Sequence, residues 1–111
     1  MAQVEKYRDC VKQLLSKYAS YKYSYGEVET QAIFDTERDH YQIVNVGWEQ
    51  KRRVYGCSMH IDIKDGFVWI QQNSTDIDIA RELVELGVPK HDIVLGFHTP
   101  YMRQFTEYAA G

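Results

Sequence analysis

The sequence predicts an α+β domain: a four-stranded antiparallel β-meander with an N-terminal helix and a second helix packed on one face. A short apolar run at 93–97 adds either a fifth strand or a helical turn. Three observations carry this fold class. Apolar residues near the N-terminus recur at helical spacing; residues 27–72 read as period-two segments broken by turn signals; and a capped amphipathic segment follows at 76–86.

The first helix spans about residues 2–18, with Val4, Tyr7, Val11, Leu14, Leu15 and Tyr18 on one stripe and Glu5, Lys6, Arg8, Asp9, Lys12 and Gln13 opposite. Between it and the first strand, Tyr21, Tyr23 and Tyr25 alternate with Ser20, Lys22 and Ser24. Interleaved aromatic and basic residues can stack nucleic-acid bases, but this run is short, and packing of the rings over a core edge is the favoured reading. Strands follow at 27–35 and 41–49, joined by the polar loop Thr36-Glu37-Arg38-Asp39.

Residues 53–72 form a second hairpin. Asp65-Gly66 supplies its turn, because a type I′ turn needs positive φ at both central positions and Asp and Gly tolerate that best. Its register opposes Lys64 to Phe67, Ile63 to Val68, Asp62 to Trp69, Ile61 to Ile70 and His60 to Gln71. Tyr55, Cys57, Met59, Ile61, Ile63, Val68 and Ile70 then share a core face, while Ser58, His60, Asp62, Lys64, Phe67 and Trp69 face outward. An even-length turn at Gln50-Lys51 opposes Val46 to Tyr55 and Val44 to Cys57, so Val44, Val46 and Trp48 join the core and Tyr41, Ile43 and Asn45 face outward. The first strand gives Val28, Ala32 and Phe34 to the core and leaves Glu29, Gln31, Ile33 and Asp35 outside.

After the sheet, Asn73-Ser74-Thr75-Asp76 reads as a capping cluster for a helix at 76–86, whose stripe is Ile77, Ala80, Leu83 and Val84 and whose stop is Gly87 with Pro89. The tail from His98 carries Pro100, Tyr101, Met102, Phe105 and Tyr108 and is too aromatic for a disordered end, so it is expected to dock on the body.

The 111 residues, 44% hydrophobic and 26% charged, suit one domain spanning 1–111 with a single core. The formal net charge of -3 gives no general attraction to phosphate backbones or anionic lipid. No apolar run is long enough for a membrane span, and without a signal peptide Cys10 and Cys57 are expected to be free thiols of a cytoplasmic protein.

Candidate chemistry is sparse. Cys57 and His60 lie three apart on one strand and should point to opposite faces, so they cannot share an ion; His91 and His98 sit in other segments, and neither a metal nor a cofactor is expected. His60 and Asp62 share a face, with Asp35 and Tyr41 near His60, which leaves a small hydrolase as an alternative. No nucleophile, oxyanion donor or phosphate loop accompanies them, and no catalytic residue is assigned. Lys51, Arg52 and Arg53 are the concentrated positive charge and the candidate nucleic-acid contact. The outer sheet face offers more. Ile33, Tyr41, Ile43, His60, Phe67 and Trp69 fall there by register, and an apolar face with a polar rim needs covering, by the C-terminal segment or by another chain; an interface with another chain through these six residues is the favoured reading.

Several blocks in order carry a resemblance: Asp35-Thr36-Glu37-Arg38-Asp39-His40-Tyr41-Gln42, Asn45-Val46-Gly47-Trp48, Arg53-Val54-Tyr55-Gly56-Cys57, His60-Ile61-Asp62-Ile63-Lys64-Asp65-Gly66, Trp69-Ile70-Gln71 and Glu82-Leu83-Val84 through Gly87-Val88-Pro89-Lys90. Over nearly the whole chain these resemble the XisI-like family, the fdxN element excision controlling factors of cyanobacteria. The resemblance implies a small α+β protein that acts beside a partner, XisH, in a DNA rearrangement of nitrogen-fixing, heterocyst-forming filaments. It supplies no catalytic motif. The chain departs from the family at Glu49-Gln50-Lys51, where glycine or asparagine is frequent. The resulting expectation is a non-enzymatic accessory factor in a homo- or hetero-oligomer with an XisH-like protein. The alternatives are a direct DNA-binding subunit using Lys51, Arg52 and Arg53, and a small hydrolase using His60 and Asp62.

Overall fold

The computed structural model describes residues 2–21 and 26–111, so Lys22, Tyr23 and Tyr25 of the tyrosine run lie outside the described residues. The chain runs α1 (Ala2–Ala19), β1 (Glu27–Asp35), β2 (His40–Glu49), β3 (Arg52–Lys64), β4 (Phe67–Asn73), α2 (Ile79–Leu86), a 3-10 turn (Lys90–Asp92), β5 (Ile93–Leu95) and α3 (Pro100–Arg103). The strands form one sheet in the order β1-β2-β3-β4-β5. The first four make the antiparallel meander. The run at 93–97 resolves as a strand, and β5 pairs parallel to β4 because the chain returns through α2 as a crossover.

One face of the sheet is dry. Tyr7, Cys10, Val11, Leu14 and Leu15 of α1, with Ile79, Ala80 and Leu83 of α2, pack against Tyr41, Ile43, Met59, Ile61, Ile63, Val68, Ile70 and Ile93. Two polar ties orient α1. The Tyr7 hydroxyl donates to the Asp92 carboxylate at the 3-10 turn, and Arg8 donates to both oxygens of Asp39 at 2.7 and 3.1 Å. Asp39 closes the β1–β2 turn with a φ of 60°, unusual for a residue with a side chain. The Arg8 fork and the Tyr41 hydroxyl, 2.8 Å from Asp39 Oδ1, hold it there. The hydrogen bond from Arg8 keeps the Asp39 carboxyl below its ordinary pKa, against burial, with Tyr41 adding to the effect.

The Asp65-Gly66 turn forms as its chemistry requires, with φ of 55° and 83°. Near the turns the expected pairs are present: Lys64 opposes Phe67, Asp62 opposes Trp69 and Ile61 opposes Ile70, and on the other side Val46 opposes Tyr55 and Val44 opposes Cys57.

The faces of β2 are corrected by a bulge. Val44 pairs with Cys57, but the next pair is Ile43 with Met59, leaving Ser58 as an extra residue in β3. A one-residue slip exchanges the faces. Beyond the bulge Tyr41 meets Ile61 and Ile43 meets Met59, so Tyr41 and Ile43, expected on the outer face, lie at 0% and 3% exposure in the core. Val44, Val46 and Trp48 change sides in the opposite sense, although Val44, in the middle of the sheet, stays buried at 9% exposure. With them go Cys57 and Tyr55, expected in the core; Tyr55 is 73% exposed. β1 keeps its expected faces, with Phe34 packed against the core and Ile33 outside. A second bulge leaves Gln71 unpaired in β4, so His60 opposes Gln72 rather than Gln71.

Helix α2 starts later than its stripe suggests. Asn73 Oδ1 accepts from the backbone nitrogen and the hydroxyl of Thr75, and Asn73 Nδ2 donates to the Ile77 carbonyl, so residues 74–77 are held as a polar loop. The N-cap is Asp78, whose carboxylate accepts from the Arg81 backbone nitrogen, and Gly87 ends the helix at φ 114°. The tail docks in part: Tyr108 packs against the core, whereas Tyr101, Met102 and Phe105 stay 67%, 48% and 66% exposed. The Ala109 backbone nitrogen donates to the Ile93 carbonyl at 2.8 Å, and a parallel bridge joins Val94 to Ala109.

Candidate functional site on the outer sheet face

The face turned away from α1 and α2 has three zones, set by the bulges and the tail. At one end of β2 and β3, His40 and Asp62 are directly opposed and His60 lies two residues from Asp62 on the same strand. The His40 Nδ1 is 2.8 Å, and the His60 Nε2 2.7 Å, from the same oxygen, Asp62 Oδ1. Gln71, freed from the ladder by its bulge, donates to Asp62 Oδ2 at 3.2 Å. Gln42 Nε2 lies 3.3 Å from His60 Nδ1. Burial acts to raise the Asp62 pKa, but the hydrogen bonds from His40, His60 and Gln71 outweigh it and hold the carboxyl below its ordinary range.

The second zone is Trp69 under the C-terminal segment. The Lys64 Nζ lies 4.3 Å from the ring centroid, and the Arg103 guanidinium carbon 5.0 Å. Both distances are within cation–π reach. The backbone at Gly111 comes so near that a Cβ there would sit 3.1 Å from Trp69 Cη2. The indole nitrogen is buried and has no hydrogen-bond partner among the described residues. Phe67, at the start of β4, is half-buried on the same face.

The third zone, over β1 to β3, is bare. Ile33, Trp48 and Tyr55 are 46%, 50% and 73% exposed. Arg53 lies over Trp48, with its guanidinium carbon 5.3 Å from the ring centroid.

Of the six residues assigned to the outer face, the structure leaves Ile33, His60, Phe67 and Trp69 there and withdraws Tyr41 and Ile43. It adds Trp48 and Tyr55, which the uninterrupted register had buried. It also adds His40, which falls between the expected loop 36–39 and the expected strand 41–49 and now opens β2. A signal for these was present: pairing Tyr41 with Ile61 and Ile43 with Met59 matches apolar to apolar, at the cost of one extra residue among the small residues Gly56, Cys57 and Ser58. The bulge also removes the reason given for keeping Cys57 and His60 apart. Even so, the ligand cluster among the described residues is His40, His60 and Asp62, without Cys57.

The basic run sits at the β2–β3 turn. Arg52 pairs with Glu49 at 2.9 Å, Arg53 Nη1 reaches the Gly47 carbonyl at 3.4 Å, and Lys51 is exposed. The hydrogen bonds of the two histidine rings go to Asp62 and Gln42 rather than to a serine, threonine or cysteine hydroxyl or thiol. Cys10 and Cys57 are free thiols whose pKa values burial raises. Among the described residues no helix is long and apolar enough to cross a membrane.

A family model described as XisI protein matches residues 1–110. Among solved structures, the chain is similar to a XisI-like protein from Anabaena variabilis at 55% identity, covering 96% of this chain and 97% of that one with a TM-score of 0.90. It is also similar to the fdxN element excision controlling factor XisI from Anabaena variabilis, at 34% identity, covering 98% and 99% of the two chains with a TM-score of 0.85. No curated protein matches it.

Proposed function

The chain belongs to the XisI protein family, and from that premise we propose that it is a controlling factor for excision of a DNA element of the fdxN type. It acts by contact with an XisH-like protein rather than by chemistry of its own. One observation supports this most: the β4 side of the outer face is covered by the chain's own tail, while Ile33, Trp48 and Tyr55 on the β1–β3 side are left in water. A polar-rimmed aromatic surface on a rigid sheet is the composition of a protein interface, where buried tryptophan and tyrosine anchors supply most of the affinity. The occupant is the XisH-like protein, because the family resemblance names it as the partner of these factors.

The net charge of -3 and the Arg52–Glu49 pair speak against a phosphate-binding turn as the main contact. The test is to titrate the purified chain separately with an XisH-like protein from the same genome and with duplex DNA, at low and at physiological salt. The proposal expects a protein complex whose affinity changes little with salt, and no tight DNA binding by the chain alone. A sub-micromolar, salt-sensitive DNA complex lost on changing Arg52 and Arg53 to Glu, with no protein complex, would replace it by the DNA-binding reading.

A further inference from the structure

We propose that His40, His60 and Asp62 form a binding site for one divalent transition-metal ion of the zinc type, a site independent of the partner contact over β1–β3. Three side chains each turn one donor atom toward a common point, and those atoms all lie within 4.8 Å of one another. They come from two neighbouring strands at the end of their ladder where β2 begins, and the cross-strand pairing sets their spacing. His40 and Asp62 are a directly opposed pair, and His60 follows on the same face.

The donor atoms are close to what an ion needs. Zinc held at about 2.0–2.1 Å from each nitrogen or oxygen in a tetrahedron requires ligand atoms roughly 3.3 Å apart. The two rings stand 2.8 and 2.7 Å from Asp62 Oδ1, so that oxygen must retreat by about half an ångström for the ion to enter. The two ring nitrogens, within 4.8 Å of each other, must close on the same point, so the ion's entry requires χ rotations of both rings as well as of the carboxylate.

Two glutamines hold the outer atoms of these ligands. Gln71 donates to Asp62 Oδ2, which leaves Oδ1 for the ion. Gln42 faces His60 Nδ1, and with its amide turned to present the oxygen it accepts from Nδ1–H and leaves Nε2 as the lone-pair donor. Outer hydrogen bonds of this kind orient ligands and set the histidine tautomer in metal sites.

Two imidazole nitrogens and one carboxylate oxygen suit zinc, nickel, cobalt or copper rather than magnesium or calcium, which take oxygen sets. Access is open from the side of His40, whose side chain is 53% exposed. An ion here keeps at least one coordination position for water or for a group from another molecule.

The competing account of the same geometry is a plain hydrogen-bonded bridge in which both rings donate to Asp62. Titration separates the two. The untagged full chain, stripped with a chelator, is titrated with zinc chloride in competition with a chromophoric chelator at neutral pH, and cobalt chloride is added in parallel to read coordination from its visible absorption. The expected result is one ion per chain with a Kd of micromolar order or tighter. His60→Ala and Asp62→Asn should each weaken it by about 100-fold or more, and Gln42→Leu by about 10-fold. Melting curves of the metal-free variants show that they are folded. His40→Ala, at an exposed position, serves as a second ligand variant should Asp62→Asn fail to fold. Absence of stoichiometric binding, or binding of equal strength in His60→Ala and His40→Ala, would overturn the site and leave the hydrogen-bonded bridge.

Discussion

Tyr41→Ala compared with Tyr55→Ala tests the bulge at Ser58, on which the assignment of both sheet faces depends. Tyr41 has no exposed surface and Tyr55 is 73% exposed. Deleting a fully buried aromatic ring costs about 3–5 kcal/mol, through lost transfer energy and the cavity left behind. For a domain of 111 residues this lowers the melting temperature by roughly 15–20 °C. Tyr55→Ala, on an open face, should change stability by no more than about 0.5 kcal/mol. Tyr41→Phe keeps the ring and removes only the hydroxyl that donates to the Asp39 carboxylate, so it should cost about 1.5–3 kcal/mol, the range for a hydrogen bond to a charged acceptor. The order of destabilisation is therefore Tyr41→Ala, then Tyr41→Phe, then Tyr55→Ala, read by denaturant or thermal unfolding. If Tyr55→Ala costs as much as Tyr41→Ala, β2 and β3 pair without the extra residue and the reasoning fails.

Two further perturbations probe the turns. The hydrogen bond from Arg8 depresses the Asp39 pKa, so its stabilisation is complete above the unfolded carboxylate value of about 3.9 and is lost as the pH falls through the lower folded value; Asp39→Asn should destabilise the domain at pH 7 and flatten its acid unfolding below about pH 4, and an unchanged acid profile would contradict the pairing. Gln50 holds a φ of 58° in the two-residue β2–β3 turn, so Gln50→Asn should stabilise by up to about 1 kcal/mol in chemical denaturation, and a loss would show that the Gln50 side chain has a role in the turn.

Legibility in the sequence followed the range of the interactions. Asp65-Gly66 fixed its own hairpin because a type I′ turn depends on two residues, and Met59, Ile61 and Ile63 could then be placed by alternation alone. The α1 stripe was readable for the same reason, since helical period and core contact coincide over five turns. The Ser58 bulge was not, because it arises from a conflict between two locally good registers: the short Gln50-Lys51 turn pairs Val44 with Cys57, while core formation pairs Ile43 with Met59. The candidate site suffered accordingly. His60 and Asp62 were found together because they share a strand, whereas His40 belongs to the cluster through cross-strand pairing at the first residue of β2. The late start of α2 depended on Asn73 capturing the Ile77 carbonyl, a local bond that competes with the helix. Coverage of Trp69 rests on residues more than thirty positions away, Arg103 and Gly111 among them, and no pattern within β4 encodes it.

The division of the outer face into a covered and an uncovered side underlies the proposed function, and two tryptophan variants measured by calorimetric titration with the XisH-like protein test it most directly. Trp48→Ala removes an aromatic anchor from the bare side. It should leave the melting temperature within a degree or two of the parent while weakening partner binding about 30-fold, equivalent to about 2 kcal/mol. Trp69→Ala removes the ring that the tail, Lys64 and Arg103 pack upon, so it should lower the melting temperature and leave the partner affinity unchanged. The opposite pattern, with partner binding lost in a stable Trp69→Ala and retained in Trp48→Ala, would contradict the account.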